Sequence, residues 1–186
     1  SSHSQISYAV FCLKKKIRTA HAALDQCGVG AGAAHLITGH HRLHHDFESA
    51  FAGFIGKPAA LLFSTGYMAN LAVITALVGR HGELFADRLD HASLVDAAQL
   101  SGARFSRYRH NDLAQLESQL ADSTAQDNLI VSDLVFSMDG DLAPVDALLD
   151  LAERYDAWLY LDDAHGFGVL NQGRGGLTDA ARVSDR

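Results

Sequence analysis

From Lys57 onward, short apolar runs alternate with stretches of helical periodicity, and this rhythm constrains the fold more than any other feature of the chain. The pattern predicts strands over 59–63, 83–86, 104–108, 129–136 and 157–161, the last ending in Asp162-Asp163. Between them it predicts helices over 67–78, 92–100, 113–120 and 145–155. Such alternation requires crossover connections, which cover both faces of a mostly parallel sheet with helices. The expected class is therefore α/β. In such sheets ligands sit beyond the carboxyl ends of the strands, where the polar loops of this chain fall.

Upstream, Leu43, Phe47, Phe51, Phe54 and Ile55 recur at helical spacing and predict an amphipathic helix over 42–55. Before it lies a loose glycine-rich segment, Gly28 to Ala34, and Pro58 and Pro144 each mark a boundary between loop and element. The 186 residues suffice for one domain with a real core. A net charge of -7, with no basic stripe to neutralise phosphates, argues against a nucleic-acid partner. Lys14-Lys15-Lys16 reads as a solvated face. Cys12 and Cys27 form no CxxC pair, which fits a reducing, cytoplasmic compartment. Apolar runs are too short to cross a bilayer, and Ile6 to Leu13 lacks a small-residue cleavage site.

The segment Leu159 to Gly166 carries the most chemistry. Asp162 and Asp163 stand at the end of an apolar strand, with His165 and Gly166 close behind. Solvated acids in a turn are one reading. A carboxylate placed to pair with a buried cation, beside an imidazole that can bond a neighbouring oxygen, is the other. Ser64-Thr65-Gly66-Tyr67 joins a strand to a helix start, where backbone N–H groups can hold an anion and Gly66 permits close approach. A plain turn capped by Ser64 or Thr65 fits the same residues. His91, in the loop Asp90 to Ser93, suits either a cap or a ring laid against a flat cofactor. Ser137, followed by the turn signal Asp139-Gly140, offers a hydroxyl toward the same sheet edge.

The ordered set GAGAAHLITGHHRLHHDFE, LLFSTGYMAN, DRLDHASLVDAA, RHNDLAQLE, VFSMDGDLAP and LDDAHGFGVLNQGRG resembles the α-oxoamine synthase family over about Gly28 to Gly176. The resemblance implies the large domain of an aspartate-aminotransferase-like (fold type I) enzyme dependent on pyridoxal 5′-phosphate (PLP). It also implies that Asp162 pairs with the pyridinium nitrogen, while His165 and Ser137 bond the phenolic oxygen. His91 would stack on the ring and position the amino-acid substrate, Ala164 would pack on the opposite face, and Gly66 and Tyr67 would bind near the phosphate. The local wording is similar to the branch that condenses L-alanine with a pimeloyl thioester, carried by coenzyme A or acyl carrier protein, in biotin synthesis. Glycine-using relatives are the alternative. Family members are homodimers.

A missing lysine and an atypical start set the chain apart from the family pattern. The family holds PLP on a lysine downstream of the glycine-rich RG segment, whereas the lysines here are Lys14, Lys15, Lys16 and Lys57. The resemblance thus implies a large domain that is incomplete over 28–186, an atypical segment over 1–27, no small C-terminal domain and an inactive fragment. A non-catalytic homologue would also lack the lysine. Separately, His40, His41, His44 and His45 form pairs at helical i, i+4 spacing that can grip a metal, but the sequence identifies no third ligand nearby. Histidines on a polar face, with no metal, are the expected reading.

Overall fold

A computed structural model describes residues 18–175. Residues 18–27 are helical, and a short π turn at His35–Gly39 leads into α1, Arg42–Ile55. There follow α2 (Gly66–Leu77), β1 (Glu83–Asp87), α3 (Ala92–Ser101), β2 (Arg104–Tyr108) and α4 (Leu113–Asp122). The series continues with β3 (Asn128–Asp133), α5 (Val145–Arg154) and β4 (Trp158–Asp162). The α/β expectation holds. The triple lysine, Cys12 and the run Ile6 to Leu13 lie outside the described residues, within which no helix is long and apolar enough to cross a membrane.

The four strands pair in the order β2-β1-β3-β4, all parallel. Side chains alternate across a strand, so one strand feeds two cores. Phe85 and Ile130 pack with Leu116, Leu120, Leu148 and Leu151 on one face. Their neighbours Leu84, Ala86, Leu129 and Val131 pack with Ile74 and Leu94 on the other. Every residue of β1 is buried, as a central parallel strand covered on both faces must be. Helix α2 is apolar almost all round and packs against α3 while burying only Asn70 and Ile74, whereas α5, strongly amphipathic, turns Leu148, Leu151 and Ala152 inward.

One strand expectation fails. Residues 59–63 run without strand pairing among the described residues, and Leu61 is 71% exposed. A strand needs a neighbour for its backbone groups, and the described sheet offers none beside this segment. The Leu62 amide instead donates to Glu48 Oε1 at 2.9 Å, tying the segment to α1.

Register places a polar residue at the carboxyl end of each strand: Asp87 opposite Tyr108, and Asp133 opposite Asp162. Buried Asp90 joins two of these ends, accepting the amides of Asp87 and Asp133 at 2.8 Å each. Desolvation pushes its carboxyl up to about 8, despite those two donors. Next to it, His110 bridges Asp87 (Nδ1 to Oδ1, 3.0 Å) and Asp141 (Nε2 to Oδ2, 2.8 Å). It thereby ties the loop after β2 to the turn after β3. Burial lowers the affinity of this imidazole for a proton, but hydrogen bonds and charge from the two carboxylates outweigh it, and the net shift is upward.

A histidine with a raised native pKa stabilises the fold fully below its unfolded value, about 6.5, and loses that contribution as pH rises through the native value. The stability gap between the intact wild-type protein and His110→Gln is therefore expected to be widest near pH 6 and to narrow toward pH 9. Urea unfolding across that range measures it. A gap that widens with pH would contradict the bridge.

Candidate active site

The site forms where α2, α3 and the ends of β3 and β4 meet. Thr65 caps α2, its Oγ1 accepting the Met68 amide at 3.1 Å, and the Thr65 carbonyl accepts the Ala69 amide at 3.1 Å. The first-turn amides of Gly66 and Tyr67 thus precede the helical bonding and face outward from its start. Tyr67 sends its hydroxyl to Asp96 Oδ2 at 2.9 Å, and this bond raises the phenol's pKa.

A small cavity of about 130 Å³ opens at this point. Of the residues singled out from the sequence, Gly66, Tyr67, His91, Asp162, Ala164 and His165 line it together. Ser137 does not: it is exposed on the turn after β3, outside the lining. Asp163 also stays outside. Its carboxylate tucks beneath the following turn, where Gly166 and Gly175 provide room that a Cβ at either position would fill.

Three further residues line the cavity and were given no role from the sequence: Asn70, Ser93 and Asp133. Asn70 is only 3% exposed. Its Nδ2 donates to Asp162 Oδ2 at 2.7 Å and to Ser93 Oγ at 2.8 Å, while its Oδ1 accepts the Tyr160 hydroxyl at 2.6 Å. The other Asp162 oxygen, Oδ1, accepts the Ala164 amide at 3.0 Å. Each carboxylate oxygen therefore takes one fixed donor and keeps a lone pair for a ligand. Desolvation, with the Asp162 charge second, pushes the Tyr160 phenol up to about 12, so it stays a donor.

His91 is fixed by the same chain. Its Nδ1 accepts the Ser93 amide at 3.2 Å, so that nitrogen carries the lone pair. Ser93 Oγ, 2.8 Å from Nδ1, must then be the donor to it. The neutral ring consequently holds its proton on Nε2. The His91 backbone amide is anchored on Asp133 Oδ2 at 2.9 Å. Burial, followed by the charge of Asp162, raises the Asp133 carboxyl despite that amide.

A signal for Asn70 exists in hindsight. It is the one carboxamide in the apolar run of α2 and lies one turn after Gly66, on the same face. Ser93 has the matching offset, two residues after the capping His91.

Of the four loops expected after predicted strands, three follow strands as anticipated, those of His91, Ser137 and His165, while Gly66 follows an unpaired segment. The histidine pairs also differ from expectation. His40 and His41 precede α1, so the four histidines do not share one helix, and Glu48 stands beside His40 and His45 as a carboxylate that had not been identified.

The family model for aminotransferase class I and II matches residues 10–185. The chain is 80% identical over 170 residues to 8-amino-7-oxononanoate synthase of Thiobacillus denitrificans (strain ATCC 25259 / T1), covering 91% of this chain and 44% of that protein. Among solved structures, serine palmitoyltransferase of S. paucimobilis with a bound PLP–myriocin aldimine superposes with a TM-score of 0.81 at 34% identity, covering 86% of this chain and 40% of that one. The 8-amino-7-oxononanoate synthase of Francisella tularensis gives 0.68 at 35% identity, with 83% and 42% covered. The chain thus spans less than half the length of these relatives. Matched along nearly its whole length, the chain belongs to the aminotransferase class I and II family.

Proposed function

We propose that the intact protein holds PLP in this cavity and condenses L-alanine with a pimeloyl thioester to give 8-amino-7-oxononanoate, releasing carbon dioxide and the thiol carrier. The observation that carries the reading is the Asp162 carboxylate, held by Asn70 and the Ala164 amide in a cavity it shares with His91 and His165. The 80% identity to a synthase of that name supports the alanine-using branch. The carrier is coenzyme A or acyl carrier protein. A homodimer and a cytoplasmic location belong to the same reading, supported by exposed apolar residues such as Leu36 and by the free thiol of Cys27.

The residues fit the cofactor. Asp162 is the counter-charge for a protonated pyridine nitrogen, pre-oriented by two donors so that no reorganisation is needed. When bound, PLP supplies an electron sink for the substrate carbanion. The first-turn amides at Gly66 and Tyr67 suit its phosphate. His91, with its proton on Nε2, would stack on the cofactor ring and help position the substrate, and Ala164 would pack on the opposite face. His165, which lines the cavity, would bond the phenolic oxygen, whereas Ser137, expected to share that bond, lies outside the lining.

Asp162→Ala in the intact enzyme is expected to lower kcat/KM several hundred-fold, since losing one partner of a buried charge pair costs about 3–5 kcal/mol. Asp163→Ala, outside the lining, should cost far less activity per folded molecule. Steady-state kinetics on both variants decides, and a crippled Asp163→Ala beside a competent Asp162→Ala reverses the assignment.

Substrate choice is tested by offering alanine, glycine and serine to the intact protein, each with pimeloyl-, acetyl- and succinyl-CoA, and following carbon dioxide release. A substrate methyl group discriminates by only about 1–3 kcal/mol, so a preference is expected rather than exclusion. The highest kcat/KM belongs to alanine with the pimeloyl thioester. A clear preference for glycine with acetyl-CoA would move the protein to another branch.

A further inference from the structure

Away from the active site, the approach to α1 gathers histidines around one half-buried carboxylate. One ligand atom from each of His40, His45 and Glu48 lies within 4.8 Å of the other two. His45 and Glu48 are three residues apart on α1 and so share a face, and His40 folds onto that face from the turn before the helix. The Glu48 side chain is 12% exposed, and its Oε1 is occupied by the Leu62 amide, which leaves Oε2 directed at His40.

The His40 Nε2 to Glu48 Oε2 distance is 3.5 Å. A charge-assisted hydrogen bond would be about 2.7–2.9 Å, well short of this. Two ligands on one tetrahedral ion, each about 2.0–2.2 Å from it, stand roughly 3.3–3.6 Å apart. The spacing therefore matches the edge of a coordination tetrahedron better than an ion pair. The second nitrogen of His40, Nδ1, is 3.3 Å from His35 Nδ1. That is the outer contact a metal-bound imidazole uses to fix its tautomer and aim its other nitrogen at the ion.

Neighbouring groupings lack this freedom. His44 comes close to His35 and His40, but its Nδ1 already accepts the His41 amide at 2.9 Å, which puts the proton of the neutral ring on Nε2. His110 sits near Asp139 and Asp141, yet both of its nitrogens are engaged by Asp87 and Asp141.

We infer that His40, His45 and Glu48 form a binding site for a divalent transition ion of the zinc class, with His35 as its outer partner. Two imidazoles and one carboxylate suit zinc, cobalt or nickel better than calcium or magnesium, which prefer all-oxygen shells. A fourth position remains for solvent, because His45 and Glu48 also line a cavity of about 430 Å³. Through Glu48 and its bond to Leu62, the ion would pin the turn before α1, the helix itself and the segment that leads to Gly66. Its role is structural, bracing the approach to the active-site helix.

The test uses the intact, PLP-loaded protein without an affinity tag, stripped with chelator and titrated with zinc chloride, then with cobalt chloride to read the ligand field. One saturating equivalent per chain, a rise in unfolding temperature and a tetrahedral cobalt spectrum are expected. His45→Gln, an exposed position, and Glu48→Gln, which keeps an acceptor for Leu62, should each weaken zinc binding at least tenfold. His44→Gln and His81→Gln should leave it unchanged. Absence of a saturable equivalent overturns the inference, as does binding that survives both ligand variants or is lost equally in His44→Gln.

Discussion

The Asn70 carboxamide is the contact on which the site depends. One buried side chain from α2 reaches Tyr160 and Asp162 on β4 and Ser93 on α3, so the positions of helix and sheet are settled by a single set of hydrogen bonds. A buried amide left without partners costs about 1–3 kcal/mol, and here its oxygen and nitrogen are both satisfied. The packing of α2 on α3 and the parallel pairing of β3 with β4 bring these partners within reach. The Asp162 carboxylate is thereby held in a fixed orientation at the cavity wall.

Around that contact the strand ends concentrate acid. Asp87, Asp90, Asp133 and Asp162 stand at or just past the carboxyl ends of neighbouring strands, and for Asp90 and Asp133 burial and neighbouring like charges favour protonation. The sheet absorbs this in two ways. Asp90 shifts upward and serves as an acceptor for two strand-end amides, while His110 sets a cationic bridge between Asp87 and Asp141. Asp133 and Asp162 both line the cavity, and Asp162, each of whose oxygens takes one fixed donor, keeps acceptor capacity on both for a ligand.

Much of the architecture was legible in the sequence because buried elements obey a period. The helix over 42–55 and the strand over 104–108 emerge with the bounds read from residue spacing, and most others differ by a residue or two at their ends. The run 59–63 misled because an apolar segment of strand length reports burial or pairing without saying which, and here its amide at Leu62 goes to a side chain. Asp162, His91 and His165 were visible as polar residues just beyond predicted strands. Asn70 and Ser93 were not, since each matters through a partner distant in sequence. Glu48 escaped for the same reason: its closeness to His40 arises only when the preceding turn folds back onto α1.

The hydrogen-bond chain from Asn70 through Ser93 to His91 makes a definite claim about one proton. Nitrogen NMR of the His91 ring in the intact protein, recorded where the ring is neutral, reads that proton directly. The chain predicts an unprotonated, pyridine-like Nδ1 and a pyrrole-like Nε2, with the pattern loosened in Asn70→Ala. A protonated Nδ1 in the wild-type protein would mean that Ser93 does not donate to His91, and would contradict the account of how the site is held.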